Sequence, residues 1–293
     1  MKKQAKKPTR KLGLVGGGNM AEALIGGMLS RKLFKPGDLI VSEPDAARRR
    51  RLGRLFKVAT TVDNREVAEQ APAIVIAVKP QTIDPVMAEL AEALNMSELS
   101  KASRSGSAFR GGRLFISIAA GITIARLERS LGPRARVIRT MPNGPAMVGF
   151  GMTAIVRGAR ATRADETFAL AIFKAVGDAV ALREEHLLDA VTALSGSGPA
   201  YVYLFAAALA DSAVAEGLSP ELALRMTLQT LKGAEVSLRQ LKLPPSELIR
   251  RVASPGGTTE AALKQFGADG FSDIVARAVK AAAERSRELG RVS

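Results

Sequence analysis

The chain is predicted to be an α/β protein whose first half forms a doubly wound parallel sheet and whose second half is all helix. Three observations carry this reading. Short, fully apolar runs alternate with helical stretches through the first half. The strand signal then stops near residue 184 and only helical patterning follows. Hydrophobic residues make up 47% of the chain but aromatics only 4%, with no Trp. A core of Ala, Val, Leu and Ile suits helices packed on a parallel sheet. At 293 residues the chain has room for two domains, expected at 1–183 and 184–293.

In order, strands are predicted at 12–15, 39–42, 57–60, 74–78, 114–118 and 137–140. Helices are predicted between them at 20–30, 45–55, 64–70, 83–94 and 123–131. Strands at 151–156 and 178–181 then flank a helix at 164–176. Residues 95–113 are polar, basic and aperiodic, which predicts a flexible surface insertion, and residues 1–10 read as a basic tail. Beyond residue 184, helices are expected at 184–193, 199–216, 220–241, 246–252, 258–266 and 272–287. Pro199 and Pro220 suit first-turn positions, and Gly217 and Gly267 suit C-caps. The helix from Pro199 is apolar on nearly every face. It is expected in a core or an oligomer interface, and an intertwined helical dimer fits it best.

Composition removes several chemistries. The absence of Cys excludes disulfides, thiolate catalysis and Cys-ligated metals, and a single His, His186, leaves ordinary His-based metal sites and Ser-His-Asp catalysis without their ligands. No metal is therefore expected, and His186 reads as an exposed helix residue. The apolar runs fall short of the roughly 18 residues that suggest a membrane span. The basic N-terminus lacks the apolar stretch of a secretory signal, so the expected setting is cytoplasmic, with no membrane partner. The net charge of +15 is concentrated in three acid-free stretches, 1–11, 48–57 and 101–113, which leave the remainder near neutral. Such runs are usually solvated, which makes nucleic acid an unlikely partner.

The first strand runs into Val15-Gly16-Gly17-Gly18-Asn19-Met20-Ala21 and then a helix. Gly16-x-Gly18-x-x-Ala21 matches the dinucleotide fingerprint, and its setting makes the first domain Rossmann-like. Gly16 permits the turn, Gly18 admits the pyrophosphate, Ala21 allows close helix–strand packing, and the helix start offers free N–H groups. Glu43, at the end of the second strand, suits the adenosine ribose hydroxyls and favours NADH, whereas Arg48 to Arg51 suit a 2′-phosphate and favour NADPH. Asn64 joins this cofactor-binding set. So do Ala77, Val78, Lys79 and Pro80, with Lys79 aimed at a ribose hydroxyl, and Ala119, Ala120 and Gly121, small enough for a nicotinamide ring to lie on the backbone. These two segments and Met141-Pro142-Asn143 fall at strand C-termini, where ligands bind in open α/β sheets. In the helical half, Ser254-Pro255-Gly256-Gly257-Thr258-Thr259 opens onto a helix whose start suits a carboxylate.

With these residues assembled, the sequence resembles the Δ1-pyrroline-5-carboxylate reductases, enzymes of the last step of proline biosynthesis, from about residue 11 to 290. The glycine turn, the segments at 77–81 and 117–121, Met141-Pro142-Asn143, the run Asp189-Ala190-Val191-Thr192-Ala193-Leu194-Ser195-Gly196-Ser197-Gly198-Pro199-Ala200-Tyr201 and the segment 252–259 follow the family's order. The resemblance implies NADPH- or NADH-dependent reduction of the cyclic imine 1-pyrroline-5-carboxylate to L-proline by a homodimer or larger homo-oligomer. Each site of the dimer would combine one subunit's nucleotide domain with the other's helical domain. It also implies that Ser254, Gly256, Gly257, Thr258 and Thr259 hold the substrate carboxylate. Thr259 would hydrogen-bond near the ring nitrogen with Glu185 close by, and these two are the catalytic candidates. The chain departs from the pattern at Leu243-Pro244-Pro245, where His-Pro is common, and at Arg251, an Asn-like position. The rival readings are a reductase of another cyclic imine, a β-hydroxyacid-dehydrogenase-like enzyme, and a non-catalytic nucleic-acid-binding protein on the same fold. The helix at 199–216 carries no Lys or Arg, which disfavours the β-hydroxyacid dehydrogenases.

Overall fold

The computed structural model describes residues 11–101 and 112–291, except the side chains of residues 96–101. The predicted basic tail at 1–10 lies outside the described residues, as does most of the predicted insertion. The chain divides into two compact units, Met1–Gly196 with Ala283–Ser293, and Ser197–Ala282.

The first unit is built on strands β1 (Leu12–Val15), β2 (Leu39–Ser42), β3 (Ala59–Thr61), β4 (Ala73–Ile76), β5 (Arg113–Ser117), β6 (Ala135–Met141), β7 (Gly151–Arg157) and β8 (Gly177–Leu182). They form one sheet in the order β3-β2-β1-β4-β5-β6-β7-β8. The chain winds outward from β1 through β2 to β3, then returns to place β4 on the other side of β1, so strand order reverses at the β1/β4 crevice. Intervening helices are α1 (Asn19–Ser30), α2 (Ala46–Phe56), α3 (Asn64–Gln70), α4 (Ile83–Lys101), α5 (Ile124–Leu131) and α6 (Arg163–Lys174).

Period-two alternation sorts the strand side chains between two cores. Leu12, Leu14, Leu39, Val41, Val75 and Ile116 meet α1 and α6 through Leu24, Ile25, Met28, Ile172 and Phe173. Val15, Ile40, Ile74, Ile76 and Phe115 meet α3, α4 and α5 through Val67, Met87, Leu90 and Leu127.

Several expectations need correction. The sheet is not wholly parallel, because β6 and β7 pair antiparallel. The stretch 142–150 between them, with a 3-10 turn at Gly144–Val148, is shorter than the crossover of about a dozen residues that a parallel pair needs. Helix α4 continues past Leu94 to Lys101, so the expected insertion at 95–113 begins as helix; Met96, Glu98 and Leu99 are good helix formers. At its other end β5 already starts at Arg113. Gly267 lies inside a helix, and the left-handed turn falls at Gly270 (φ +67°).

After β8 come α7 (Leu187–Val191), a π-helical turn at Thr192–Gly196, and α8 (Gly198–Ala215). The helical path Leu187–Ala215 contains an 18-residue window of mean hydropathy 1.3, 6% of it buried, which is the all-round apolarity that the sequence shows from Pro199 onward. The remaining helices are α9 (Pro220–Leu241), α10 (Pro245–Val252), α11 (Thr258–Ala268) and α12 (Phe271–Arg291). Pro199 and Pro220 occupy first-turn positions as expected.

Within Ser197–Ala282 only Ala223 and Thr227 are buried. Leu204 is 72% exposed and Met226 53%. An interior this small does not stabilise five helices alone, since helices in proteins rely on packing of an apolar face.

Helix α7 and the last turns of α12, expected in the helical domain, belong to the sheet unit. Ser286, which is buried, donates its hydroxyl to Asp189 Oδ1 at 2.6 Å. Ser286→Ala is expected to lower stability by about 1.5–3 kcal/mol, the net contribution of a hydrogen bond to a charged group. The check is urea unfolding at fixed protein concentration, where an unchanged midpoint would show that this latch contributes nothing.

Candidate active site

Three strand ends converge on the first glycine. Gly16 donates its N–H to Ser42 O at 2.9 Å, and Ala77 donates to Val15 O at 2.7 Å. Gly16 has φ +95°, and a Cβ there would lie 2.6 Å from the Ala77 carbonyl oxygen. Only glycine satisfies both the dihedral and the approach. Gly18, by contrast, faces open space, with nothing within 4 Å of an added Cβ. As the N-cap of α1 it leaves the first-turn N–H groups of Asn19, Met20 and Ala21 without intrahelical acceptors. Ala21 is buried at the helix–sheet contact. The cradle fits a pyrophosphate.

Glu43 is buried, and its carboxylate braces this turn: Oε2 accepts the Gly17 N–H at 2.8 Å and Oε1 the Asp45 N–H at 2.9 Å. The arginine run divides by role. Arg49 donates to the Glu43 and Pro44 carbonyls at 2.7 and 3.0 Å. Arg51 pairs with Glu22 at 2.7 Å. Hydrogen bonding from Arg51, more than its charge, holds the Glu22 carboxyl below the usual range. Arg48 makes no side-chain hydrogen bond or ion pair among the described residues. It lines, with Gly17, Asn19 and Glu22, a groove of about 640 Å³ along α1. Asp45 caps α2, and its bond from the Arg48 N–H at 2.7 Å lowers its pKa.

The other predicted cofactor residues stand around the same sheet edge. Ala77 and Val78 follow β4, and Lys79, exposed, caps the turn begun by Pro80. Asn64 opens α3, where its Oδ1 accepts the Ser42 hydroxyl at 2.6 Å and its Nδ2 donates to Glu89 at 2.7 Å. Residues 119–121 follow β5, and Gly121 takes φ +78° with an added Cβ 3.3 Å from Leu289 Cβ.

Glu185 carries an arrangement that sequence reasoning missed. Its Oε1 accepts both Arg139 Nη1 at 2.7 Å and the Ile124 N–H at 2.8 Å. An arginine at a buried position of the apolar strand β6, Arg139, was the available signal, since a buried cation demands a partner. Asn143 was noted only as a strand-end residue. Its Nδ2 donates to Ser195 O at 2.9 Å and its Oδ1 accepts the Met152 N–H at 2.8 Å, tying the end of β6 to β7 and to the π-helical turn. His186 is exposed, with Nδ1 3.2 Å from Glu184. Among the described residues, no cluster of His, Asp and Glu is arranged to hold a metal.

In the second unit, Ser254 O accepts the Gly257 N–H at 2.9 Å, and Gly256 turns with φ +70°. Gly257 is the N-cap of α11, so the amides of Thr258 and Thr259 open that helix. Glu260 Oε2 takes the Gly256 N–H at 2.6 Å. Thr259 lines a largely apolar hollow of about 510 Å³ with Leu238, Leu241, Leu248, Val252 and Leu263. Arg251 is engaged by Glu247 at 3.3 Å.

Residues 185–289 match the model described as pyrroline-5-carboxylate reductase dimerisation. Residues 11–99 match one described as NADP oxidoreductase coenzyme F420-dependent. The pyrroline-5-carboxylate reductase of Synechocystis sp. is 40% identical over 280 residues, covering 96% of this chain and 98% of that protein. This chain belongs to the pyrroline-5-carboxylate reductase family. The solved reductase of Coxiella burnetii superposes with a TM-score of 0.85 at 33% identity, covering 96% of this chain and 98% of that one. The Plasmodium falciparum pyrroline carboxylate reductase, solved with NADP bound, gives 0.81 at 31% identity over 96% and 98%.

Gly16→Ala is expected to raise the Kd for reduced coenzyme at least about tenfold, ~1.4 kcal/mol, while the chain still folds. Fluorescence titration checks this, and an unchanged Kd would contradict the close approach as the reason for glycine.

Proposed function

We infer that this chain reduces 1-pyrroline-5-carboxylate to L-proline with NAD(P)H. The observation that carries this reading is its full-length relation to pyrroline-5-carboxylate reductases. The two helix starts support it. The start of α1, at Asn19 to Ala21, suits the coenzyme pyrophosphate, and the start of α11, at Thr258 and Thr259, suits the substrate carboxylate.

When bound, the nicotinamide supplies a hydride to the imine carbon. A protonated imine is already electrophilic, so the protein's residues have to bind and orient rather than activate. Ala119, Ala120 and Gly121 give the ring a floor without side-chain bulk. Ser254 to Thr259 hold the carboxylate, and the Thr259 hydroxyl accepts from the protonated ring nitrogen. The reaction then asks for no thiolate or imidazole, in keeping with a chain that has no Cys and one exposed His.

The finer reading of the coenzyme is a preference for NADPH. Both oxygens of Glu43 already accept backbone N–H groups, and Arg48 is free to meet a 2′-phosphate. Homodimerisation through the second unit suits its exposed apolar helices and the family module that covers it. A cytoplasmic setting suits an enzyme drawing on the cellular pool of reduced coenzyme.

Steady-state oxidation of NADPH and NADH with 1-pyrroline-5-carboxylate tests the reaction. Thr259→Ala is expected to lower kcat/KM about tenfold to a hundredfold, the loss of one charge-assisted hydrogen bond, with coenzyme Kd unchanged. Coenzyme binding without turnover in the unaltered chain would overturn the substrate assignment. Arg48→Ala should raise KM for NADPH about tenfold and leave that for NADH in place. Equal effects on both would remove Arg48 from phosphate recognition.

A further inference from the structure

The carboxylate of Glu185 is committed within the fold. Its single oxygen Oε1 takes a guanidinium hydrogen from Arg139 at 2.7 Å and the backbone N–H of Ile124 at 2.8 Å. Arg139 is 8% exposed, so its buried guanidinium N–H needs an acceptor. Ile124 is the first residue of α5, where an anion is favoured by the unpaired amides and the helix dipole. Thr123, the N-cap, adds its own bond by accepting the Arg126 N–H at 3.3 Å.

The stretch fixed in this way leads directly back to residues 119–121. Its other end is tied to the sheet: Ile118 donates to Ile76 O at 3.1 Å, and Thr140 Oγ1 donates to Ser117 O at 3.0 Å. Gly121 turns it at φ +78° against Leu289. The floor therefore hangs between β5 and the start of α5. Glu185 sets the height of the second support.

We propose that Glu185 and Arg139 are positioning residues that hold the start of α5, and through it the 119–121 backbone, at the height the nicotinamide ring requires. Glu185 acts here as the hydrogen-bond acceptor for both donors, and transfers no proton. The inference rests on the placement of the ring against residues 119–121 given above.

The test compares Glu185→Ala with Glu185→Gln in the full-length enzyme. A glutamine carbonyl oxygen can accept both bonds that Oε1 accepts now. Glu185→Ala is expected to lower kcat about a hundredfold, the scale of a small misplacement of reacting atoms, and to raise the primary isotope effect seen with NADPH deuterated at C4. Its affinity for adenosine 2′,5′-bisphosphate, which has no nicotinamide, should stay unchanged. Glu185→Gln should recover most of kcat. Equal damage in Glu185→Gln and Glu185→Ala would overturn the proposal, because the charge or a proton would then be the function. An unaltered kcat in Glu185→Ala would overturn it as well.

If Glu185→Ala does not fold, Ile124→Pro removes the same N–H at a helix position where proline is tolerated and Thr123 is already extended (φ −76°, ψ 155°). It should lower kcat and raise the isotope effect in the same way, and normal values for both would again overturn the role. Ala120→Val thickens the floor and leaves the clamp alone. A normal kcat in that variant would mean that the ring lies elsewhere, taking the earlier reading and this inference together. A fall there with none in Glu185→Ala would overturn the positioning role alone.

Discussion

The turn at Gly16 is the constraint on which the nucleotide unit depends. β1 ends between β2 and β4, and the chain must reverse there into α1 while its backbone touches both neighbours. The hydrogen bond from Gly16 to Ser42, the bond from Ala77 to Val15, and the 2.6 Å approach an added Cβ would make to Ala77 O leave no space for a side chain. The same geometry sends α1 away with its first amides uncovered at Gly18. Glu43 then holds the turn from the β2 side through the Gly17 N–H. An anion site follows from backbone position, before any charged side chain is considered.

A second helix start, at Gly257, repeats the device on the helical unit. Under the proposed function, the two anionic groups, a pyrophosphate and a small carboxylate, would meet backbone amides and not cationic clusters. That economy matches the chemistry. A cyclic imine needs a hydride and a fixed orientation, and the protein spends its side chains on bracing: Glu43 under the glycine turn, Asn143 between β6, β7 and the π-helical turn, and Glu185 between β6 and α5.

Much of this was legible from sequence, for identifiable reasons. Apolar runs such as Leu12 to Val15 and Leu39 to Ser42 are bounded by glycine, proline and charge, so their ends coincide with the observed strands. The glycine spacing and the Ser254–Thr259 run could be read because each residue type answers a local backbone need. Direction could not be read: nothing within β7 announces that it pairs antiparallel with β6, because that depends on the length of the link between them. Long-range pairing was equally hidden. The sequence carries no sign that Glu43 braces Gly17, that Asn64 bonds Glu89, or that it is Glu185 that pairs with Arg139. Each partner, Gly17, Glu89 and Arg139, lies 25 to 46 residues away in the chain. The all-round apolarity of α8 signalled an interface or a core; α8 is exposed within the single chain and lies inside the family's dimerisation module.

Following the label from NADPH deuterated at C4 tests the central claim most directly. The enzyme is given this coenzyme and 1-pyrroline-5-carboxylate, and the product is examined by mass spectrometry and NMR. The account predicts L-proline carrying one deuterium at C5, the former imine carbon, formed in step with coenzyme oxidation. Coenzyme oxidised without label in proline, or no oxidation by a chain that binds the coenzyme, would contradict it.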